Sequence, residues 1–129
     1  MKISIEGKTV WVTGAGSGIG RAAASSLARA GARVALSGRR VDPLEKSLEM
    51  VQSAEGSGIV VPVDVSDSEA ILVAADKIRA ELNQIDILIN SAGLNLPNRR
   101  YSEMKIGDWQ SVIDANLNGA YNCIYAVLP

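Results

Sequence analysis

An α/β fold, with a parallel sheet covered by helices on both faces, is predicted by three observations. Short β-branched apolar runs alternate along the whole chain with stretches whose apolar residues recur at helical spacing. Four glycines fall within the seven residues Gly14 to Gly20, at the one place where the first strand must turn sharply into the first helix. The chain of 129 residues, with 47% apolar and 21% charged residues, has the size and composition of one globular domain.

Each element follows in order. Thr9 to Thr13 reads as a buried strand, short and nearly all apolar. After the glycine turn, Ile19, Ala23, Leu27 and Ala30 fall at helical spacing, and Gly31 ends that helix. Arg33 to Ser37 is a second strand, followed by the polar turn Gly38-Arg39-Arg40. Asp42 is expected to cap the next helix, with Pro43 at its first position and Leu44, Leu48 and Val51 on one face. Ile59 to Val63 is a third strand, whose Pro62 points to an edge or to the strand's end. Ser66-Asp67-Ser68-Glu69 reads as a capping box for a helix with the buried stripe Ile71, Leu72, Ala75, Ile78 and Leu82. Ile85 to Asn90 is a fourth strand, followed by a loop to about Lys105. A single helix from Gly107 to Leu128 closes the chain, with Trp109, Val112, Ile113, Leu117, Ala120, Ile124 and Val127 as its core stripe. The expected strand order is 3-2-1-4, which puts the glycine turn beside the switch point where open α/β sheets bind ligands.

Composition narrows the chemistry. Thirteen basic against fourteen acidic residues leave no electrostatic case for nucleic acid or a membrane surface. The single cysteine, Cys123, excludes an internal disulfide and fits a reducing compartment. With no histidine and no cysteine cluster, neither a zinc site nor a Ser-His-Asp triad is available, and no metal is expected. The segment from Met1 to Lys8 is too polar for a secretory signal, and no apolar run approaches a membrane span. The cytoplasm is the expected location. What the glycine turn does offer is a helix N-terminus with free N–H groups and partial positive charge, suited to a diphosphate. A phosphate-loop nucleotidase needs Gly-Lys-Ser/Thr to close that loop, and Gly20-Arg21-Ala22 lacks it.

Four motifs in register, Thr13-Gly14-x-x-x-Gly18-Ile19-Gly20, Asp64-Val65, Asn90-Ser91-Ala92-Gly93 and Asn116 in Asn116-Leu117-Asn118-Gly119, resemble the short-chain dehydrogenase/reductase family. Order and spacing fit from about residue 5 to the last residue; Ser91, where the family usually has a second asparagine, is a mild departure. The resemblance implies a Rossmann-type dinucleotide-binding domain over residues 1–129, the N-terminal half of such an enzyme, truncated after the fourth strand and its following helix. It implies that Gly14, Gly16, Ser17, Gly18 and Ile19 cradle the pyrophosphate and adjoining ribose. Asp64 and Val65 would then lie against the adenine, and Asn90, Ala92 and Gly93 would line the nicotinamide side. Asn116 is implied as the catalytic-set asparagine that supports a water-linked proton relay. Each has a plainer alternative: the glycines as an ordinary turn, Asp64 as part of a helix cap, Asn90 as a strand-end turn residue. On the apolar stripe of its helix, Asn116 is expected to be a buried amide that needs partners.

In dinucleotide sites an acid about 20 positions past the glycines binds the ribose hydroxyls, whereas an arginine pairs with a 2′-phosphate. The second strand here ends Ser37-Gly38-Arg39-Arg40 with no acid. Ser37, Arg39 and Arg40 therefore point to NADP in preference to NAD, the alternative being two solvated arginines. Reduction of a carbonyl in this family uses a serine and a Tyr-x-x-x-Lys pair. Tyr101-Ser102-Glu103-Met104-Lys105 fits the pattern literally but precedes the Asn116 helix, where the family has a variable approach, so these residues are expected on a surface loop or a helix's first turn.

Two functions compete. One is an oxidoreductase moving hydride between NADP(H) and a small-molecule carbonyl or alcohol, of which these residues carry the cofactor half and no Ser or Tyr-x-x-x-Lys. On that reading the 129 residues alone are inactive, and the partners are a second copy in a homo-oligomer or the missing C-terminal half. Leu94 to Arg100 would form one wall of the substrate pocket. The other is a non-catalytic nicotinamide-nucleotide-binding or interaction module.

Overall fold

A computed structural model describes residues 3–129; Met1 and Lys2, which open the polar N-terminal segment, lie outside the described residues. Four strands, β1 (Thr9–Thr13), β2 (Arg33–Ser37), β3 (Ser57–Val60) and β4 (Ile87–Asn90), form one parallel sheet in the order β3-β2-β1-β4. Val10 lies opposite Val34 on one side and Ile87 on the other. Side chains alternate across the sheet, so Val10 and Val12 face one core and Trp11 the other. Helices α1 (Gly18–Arg29) and α2 (Val41–Ser53) cover the first face, and α3 (Ser68–Leu82) covers the second. Burial on both faces explains why β1 and β2 read as nearly unbroken apolar runs. No helix among the described residues is long and apolar enough to cross a membrane.

Several local expectations are corrected. The buried residues of α1 are Gly20, Ala24 and Ala28, one position after the expected set, and Ile19 is 81% exposed. The smallest side chains take the contact because the helix lies close over the glycine turn; a Cβ on Gly20 would strike the Gly14 carbonyl. Helix α2 begins at Val41, with Arg40 and not Asp42 at the N-cap position and no side-chain cap bond, so Pro43 sits at its third position, where its missing N–H is still no loss. Strand β3 starts at Ser57 and ends before Pro62, although the Val61 and Val63 N–H groups still donate to Leu36 O and Gly38 O, both at 2.9 Å. It is an edge strand, as the proline suggested. The cap of α3 is Asp67, whose carboxylate accepts from the Ala70 N–H at 3.0 Å, and not Ser66. Leu72 lies outside the buried stripe of that helix, which is Ile71, Ala74, Ala75, Ile78 and Leu82. Strand β4 begins at Ile87, two residues later than expected.

The largest difference lies in the closing helix. It is three segments: α4 (Ile106–Ile113), a π turn (Asp114–Asn118) and α5 (Gly119–Val127), preceded by a 3-10 turn (Tyr101–Glu103). A π turn adds a residue to the helical repeat and rotates the faces on either side of it. The face buried after the turn is Gly119, Cys123 and Ala126, packed toward α3. The expected stripe is core only in part: Val127 packs against the core and Val112, Ile113 and Ala120 are half-buried, whereas Trp109 is 56% and Leu117 63% exposed, and Ile124 is exposed too. Burial alone pushes the Cys123 thiol up to about 11, which leaves it protonated and unreactive near neutral pH.

At the opposite end of the sheet Asp86 ties the starts of β1 and β4 together. Its Oδ2 accepts from the Thr9 N–H at 2.8 Å, and its own N–H donates to Thr9 O at 2.9 Å. The Thr9 bond holds the Asp86 carboxyl below its ordinary 3.8, with smaller help from Gln84 and Lys8 against some desolvation. A depressed carboxylate pKa stabilises the fold above the unfolded-state value and ceases to do so as pH falls through the folded-state value. Chemical unfolding of wild type and Asp86→Asn should thus show wild type more stable at pH 7, with the gap closing below pH 3.8. A gap that persists undiminished into stronger acid would show that the charge is irrelevant.

Candidate functional site

The site is built at the C-terminal ends of the strands, where β1 leads to one side of the sheet and β4 has been added on the other. Gly14, at φ +64°, lies where the turn after β1 meets the turn after β4. A Cβ there would lie 2.5 Å from Ser91 O and 2.7 Å from Ala92 N. Thr13 joins the same two turns: its Oγ1 accepts from the N–H groups of Ser91 and Ala92, both at 3.2 Å.

Two adjoining cavities, of about 310 and 150 Å³, share Gly14, Gly38 and Arg39 and form one trough across this end of the sheet. Asp64, Val65, Ala92, Gly93 and Leu94 line the larger part, together with Ser111, Asp114 and Ala115 from α4 and the π turn. The smaller part runs along Gly16, Ser17, Arg40, Pro43 and Leu44. Of the residues singled out from sequence, the trough brings together Gly14, Gly16, Ser17, Arg39, Arg40, Asp64, Val65, Ala92 and Gly93. Gly18 and Ile19 open α1 without lining either cavity, and Asn90 is exposed at the end of β4.

Asp64 forms its own turn and plays no part in the cap of α3: its Oδ1 accepts from the Ser66 N–H at 3.0 Å and the Ser66 hydroxyl at 2.8 Å. Those two bonds, and then the nearby Arg39 charge, hold its carboxyl below the usual range against partial desolvation. The wall of the trough is thus anionic at Asp64 and cationic at Arg39. Val65 is buried against Gly119, and its carbonyl accepts from Asn122 Nδ2 at 2.9 Å.

Ser37 does not join the site. It is fully buried; its hydroxyl donates to Val61 O at 2.7 Å and accepts from the Trp11 indole N–H at 2.8 Å. Both capacities of the hydroxyl are used inside the sheet, which leaves none for a phosphate. Ser37→Ala would strand a buried indole donor and a carbonyl, and a loss of about 1–3 kcal/mol is expected in denaturant unfolding. If stability is unchanged and nucleotide binding falls instead, the hydroxyl does reach the ligand.

Asn116 is exposed, contrary to the expectation of a buried amide. Its partner is nonetheless clear. Oδ1 accepts from the Leu94 N–H at 2.6 Å and Nδ2 donates to Leu94 O at 3.0 Å, a two-point clamp on the loop after β4. The π turn carries this asparagine. Tyr101 is 89% exposed in the 3-10 turn and Lys105 stands at the N-cap position of α4, its N–H donating to Asp108 Oδ2 at 3.1 Å; neither lines the trough.

Gly38, Ser111, Asp114 and Ala115, which line the trough, and Arg21, which bonds to Gly16, were not among the residues singled out from sequence. The helical residues had a faint signal in sharing a segment with Asn116, but which of them face the trough depends on the π turn. Arg21 had a clearer one, since a cation in the first turn of a helix opposes the macrodipole and needs another reason to be there. That reason is visible: its guanidinium donates to Gly16 O, to Pro43 O at 3.2 Å and to the Ser47 hydroxyl at 2.8 Å.

A family model described as short chain dehydrogenase matches residues 8–129. An uncharacterized oxidoreductase of Listeria innocua is 35% identical over 127 residues, 98% of this chain and 51% of the relative. Another, from Mycobacterium tuberculosis, is 39% identical over 132 residues, 98% of this chain and 38% of the relative. Among solved structures, a short-chain type dehydrogenase/reductase from Mycobacterium marinum superposes with a TM-score of 0.92 at 28% identity, over 96% of this chain and 50% of that one. A metagenomic short-chain oxidoreductase solved in complex with NADP gives 0.90 at 34% identity, over 96% and 56%. The chain spans about half the length or less of these curated relatives.

Proposed function

This chain belongs to the short-chain dehydrogenase family, and from that premise we propose that it forms the NADP(H)-binding half of an oxidoreductase acting on a carbonyl or alcohol. The observation that carries the cofactor reading is Arg39. It lines both parts of the trough beside the glycine turn, is exposed, and makes no ion pair among the described residues. A guanidinium so placed matches a 2′-phosphate, and Arg40 adds a second charge next to it. The related structure solved with NADP supports the same choice.

The residues present fit such a group. The N–H groups of Gly16 and Ser17 have no partner among the described residues and belong to the turn at the N-terminus of α1. Gly14 leaves no room for a side chain between the two turns. Asp64 and Val65 supply a polar group and an apolar surface for a purine, and Ala92 and Gly93 keep the wall after β4 low. When bound, the nicotinamide supplies or accepts the hydride. The chain's own contribution is to hold and orient it. Asn116, through its clamp on Leu94, fixes the loop bordering the reacting end, and we assign it to the proton path. The Ser and Tyr-x-x-x-Lys acid–base set is not assigned to any residue of this chain, so the 129 residues alone are expected not to turn over a carbonyl.

Trp109, Leu117, Tyr121 and Tyr125 expose a run of large apolar side chains on α4, the π turn and α5. That surface favours a homo-oligomer, or association with a C-terminal half, and it is also what the alternative reading as a nucleotide-binding interaction module needs. The reading puts the protein in the cytoplasm, in keeping with a lone buried cysteine.

Titration with NADPH and with NADH, followed by tryptophan fluorescence, tests the proposal. NADPH should bind at least about tenfold more tightly, the equivalent of one charge-assisted contact. Preference for NADH would remove the arginine argument, and binding of neither would remove the cofactor reading.

A further inference from the structure

We propose that Arg21 is a positioning residue: it sets the direction of the glycine-turn N–H groups by holding the carbonyls on their far side. This rests on the nicotinamide-nucleotide reading above and adds a residue to it.

The geometry is that of the peptide plane. The described chain has no cis peptide bond, so each N–H points opposite to the carbonyl of the residue before it. The Gly16 carbonyl accepts from the Arg21 guanidinium. The Ala15 carbonyl accepts from the hydroxyl of Ser47 at 2.7 Å, and that hydroxyl in turn accepts from Arg21 Nε at 2.8 Å. Two successive carbonyls of the turn are thereby drawn toward one cluster. The N–H groups of the same two peptide units, those of Gly16 and Ser17, must face away from it, and both residues line the smaller cavity. Without the cluster, glycine at position 16 leaves that peptide free to rotate. Ser47 is 2% exposed, so the cluster is a built feature and not a surface encounter. The fork is anchored to α2 through Pro43 O at 3.2 Å, which makes the turn's orientation a property of the α1–α2 contact. Lysine, with a single ammonium, cannot hold three separated acceptors in one plane.

The test compares a ligand with a diphosphate and one without. Wild type, Arg21→Met and Ser47→Ala are titrated with NADPH and with adenosine 2′-monophosphate, and their thermal unfolding is recorded. Arg21→Met should weaken NADPH by about tenfold or more, the scale of a lost charge-assisted contact, while adenosine 2′-monophosphate changes by less than about twofold. Ser47→Ala, the milder change, should show the same selectivity with a smaller effect. Equal weakening of both ligands would mean a general loosening and overturn the inference, as would unchanged NADPH binding in a folded Arg21→Met. Wild type that takes NADH in place of NADPH sinks the 2′-phosphate argument alone, and the effect of Arg21→Met on NADH then decides this one. Wild type that binds neither dinucleotide sinks both.

Discussion

Gly14→Ala is expected to lower stability by about 3 kcal/mol, the sum of a left-handed backbone forced on alanine and an overpacked contact. In a chain of this size that corresponds to a fall in Tm of about 10 °C. The two costs are independent. At φ +64° an L side chain is strained wherever it points, and the added Cβ would lie 2.5 Å from Ser91 O and 2.7 Å from Ala92 N. Both obstacles are backbone, so no side-chain rotation relieves them. The turn after β4 must move, and with it Ala92 and Gly93, which line the larger part of the trough. Nucleotide affinity should fall along with stability. Gly18→Ala is the control. Gly18 also has a positive φ, +53°, but nothing lies within 4 Å of its Cβ position, so only the strain remains. Its cost should be about 1 kcal/mol. Equal losses in the two variants, measured by circular dichroism melts, would show that the contact with Ser91 is not what makes Gly14 necessary.

The second large effect is expected at Arg39. Removing a guanidinium that pairs with a phosphate costs about 1.5–3 kcal/mol, or roughly 10- to 100-fold in affinity. Arg39→Ala should lose that much for NADPH and leave NADH within about twofold. Arg39→Asp should go further and reverse the preference, because a carboxylate repels the 2′-phosphate and accepts from ribose hydroxyls. Arg40 lines only the smaller part of the trough, and its replacement should have a smaller effect. Isothermal titration with both nucleotides reads all of this directly. Arg39→Ala with unaltered NADPH binding would mean that both arginines are merely solvated at the strand end.

The legible parts of the fold were those where one residue type has one use. Thr9–Thr13 and Arg33–Ser37 were read with their correct limits, because β-branched apolar runs buried on both faces have no helical competitor. The parallel sheet followed from alternation with helices, and its order β3-β2-β1-β4 is the one expected. Caps were less legible: Ser66, Asp67 and Ser68 are all competent, but Ser66 is engaged with Asp64 and Asp67 accepts from the Ala70 N–H. Likewise the fully buried positions of α1 went to Gly20, Ala24 and Ala28, because close approach to the turn favours small side chains; Leu27 packs at the edge of that core and Ile19 is left exposed.

The site divides along the same line. Gly14, Gly16 and Ser17, with Asp64-Val65 and Ala92-Gly93, all of which line the trough, were singled out from sequence because glycine spacing and strand-end position are local properties of the chain. Arg39 was singled out because no acid stands in its place, and it lines both parts of the trough. Tertiary structure decided the rest. Ser37, adjacent in sequence to the trough, points into the sheet and is consumed by Trp11 and Val61. Asn116, expected in a core, stands exposed on a π turn and grips Leu94, since an extra residue in the helical repeat cannot be read from apolar spacing. Arg21 acquires its role only when α2 brings Ser47 and Pro43 against it. The sequence by itself determined that a strand must turn through glycines onto a helix N-terminus, because that depends on neighbours a few residues apart. Which side chains face that turn, and which are used up elsewhere, depends on hydrogen bonds between residues 20 to 80 positions apart, and those exist only in the folded chain.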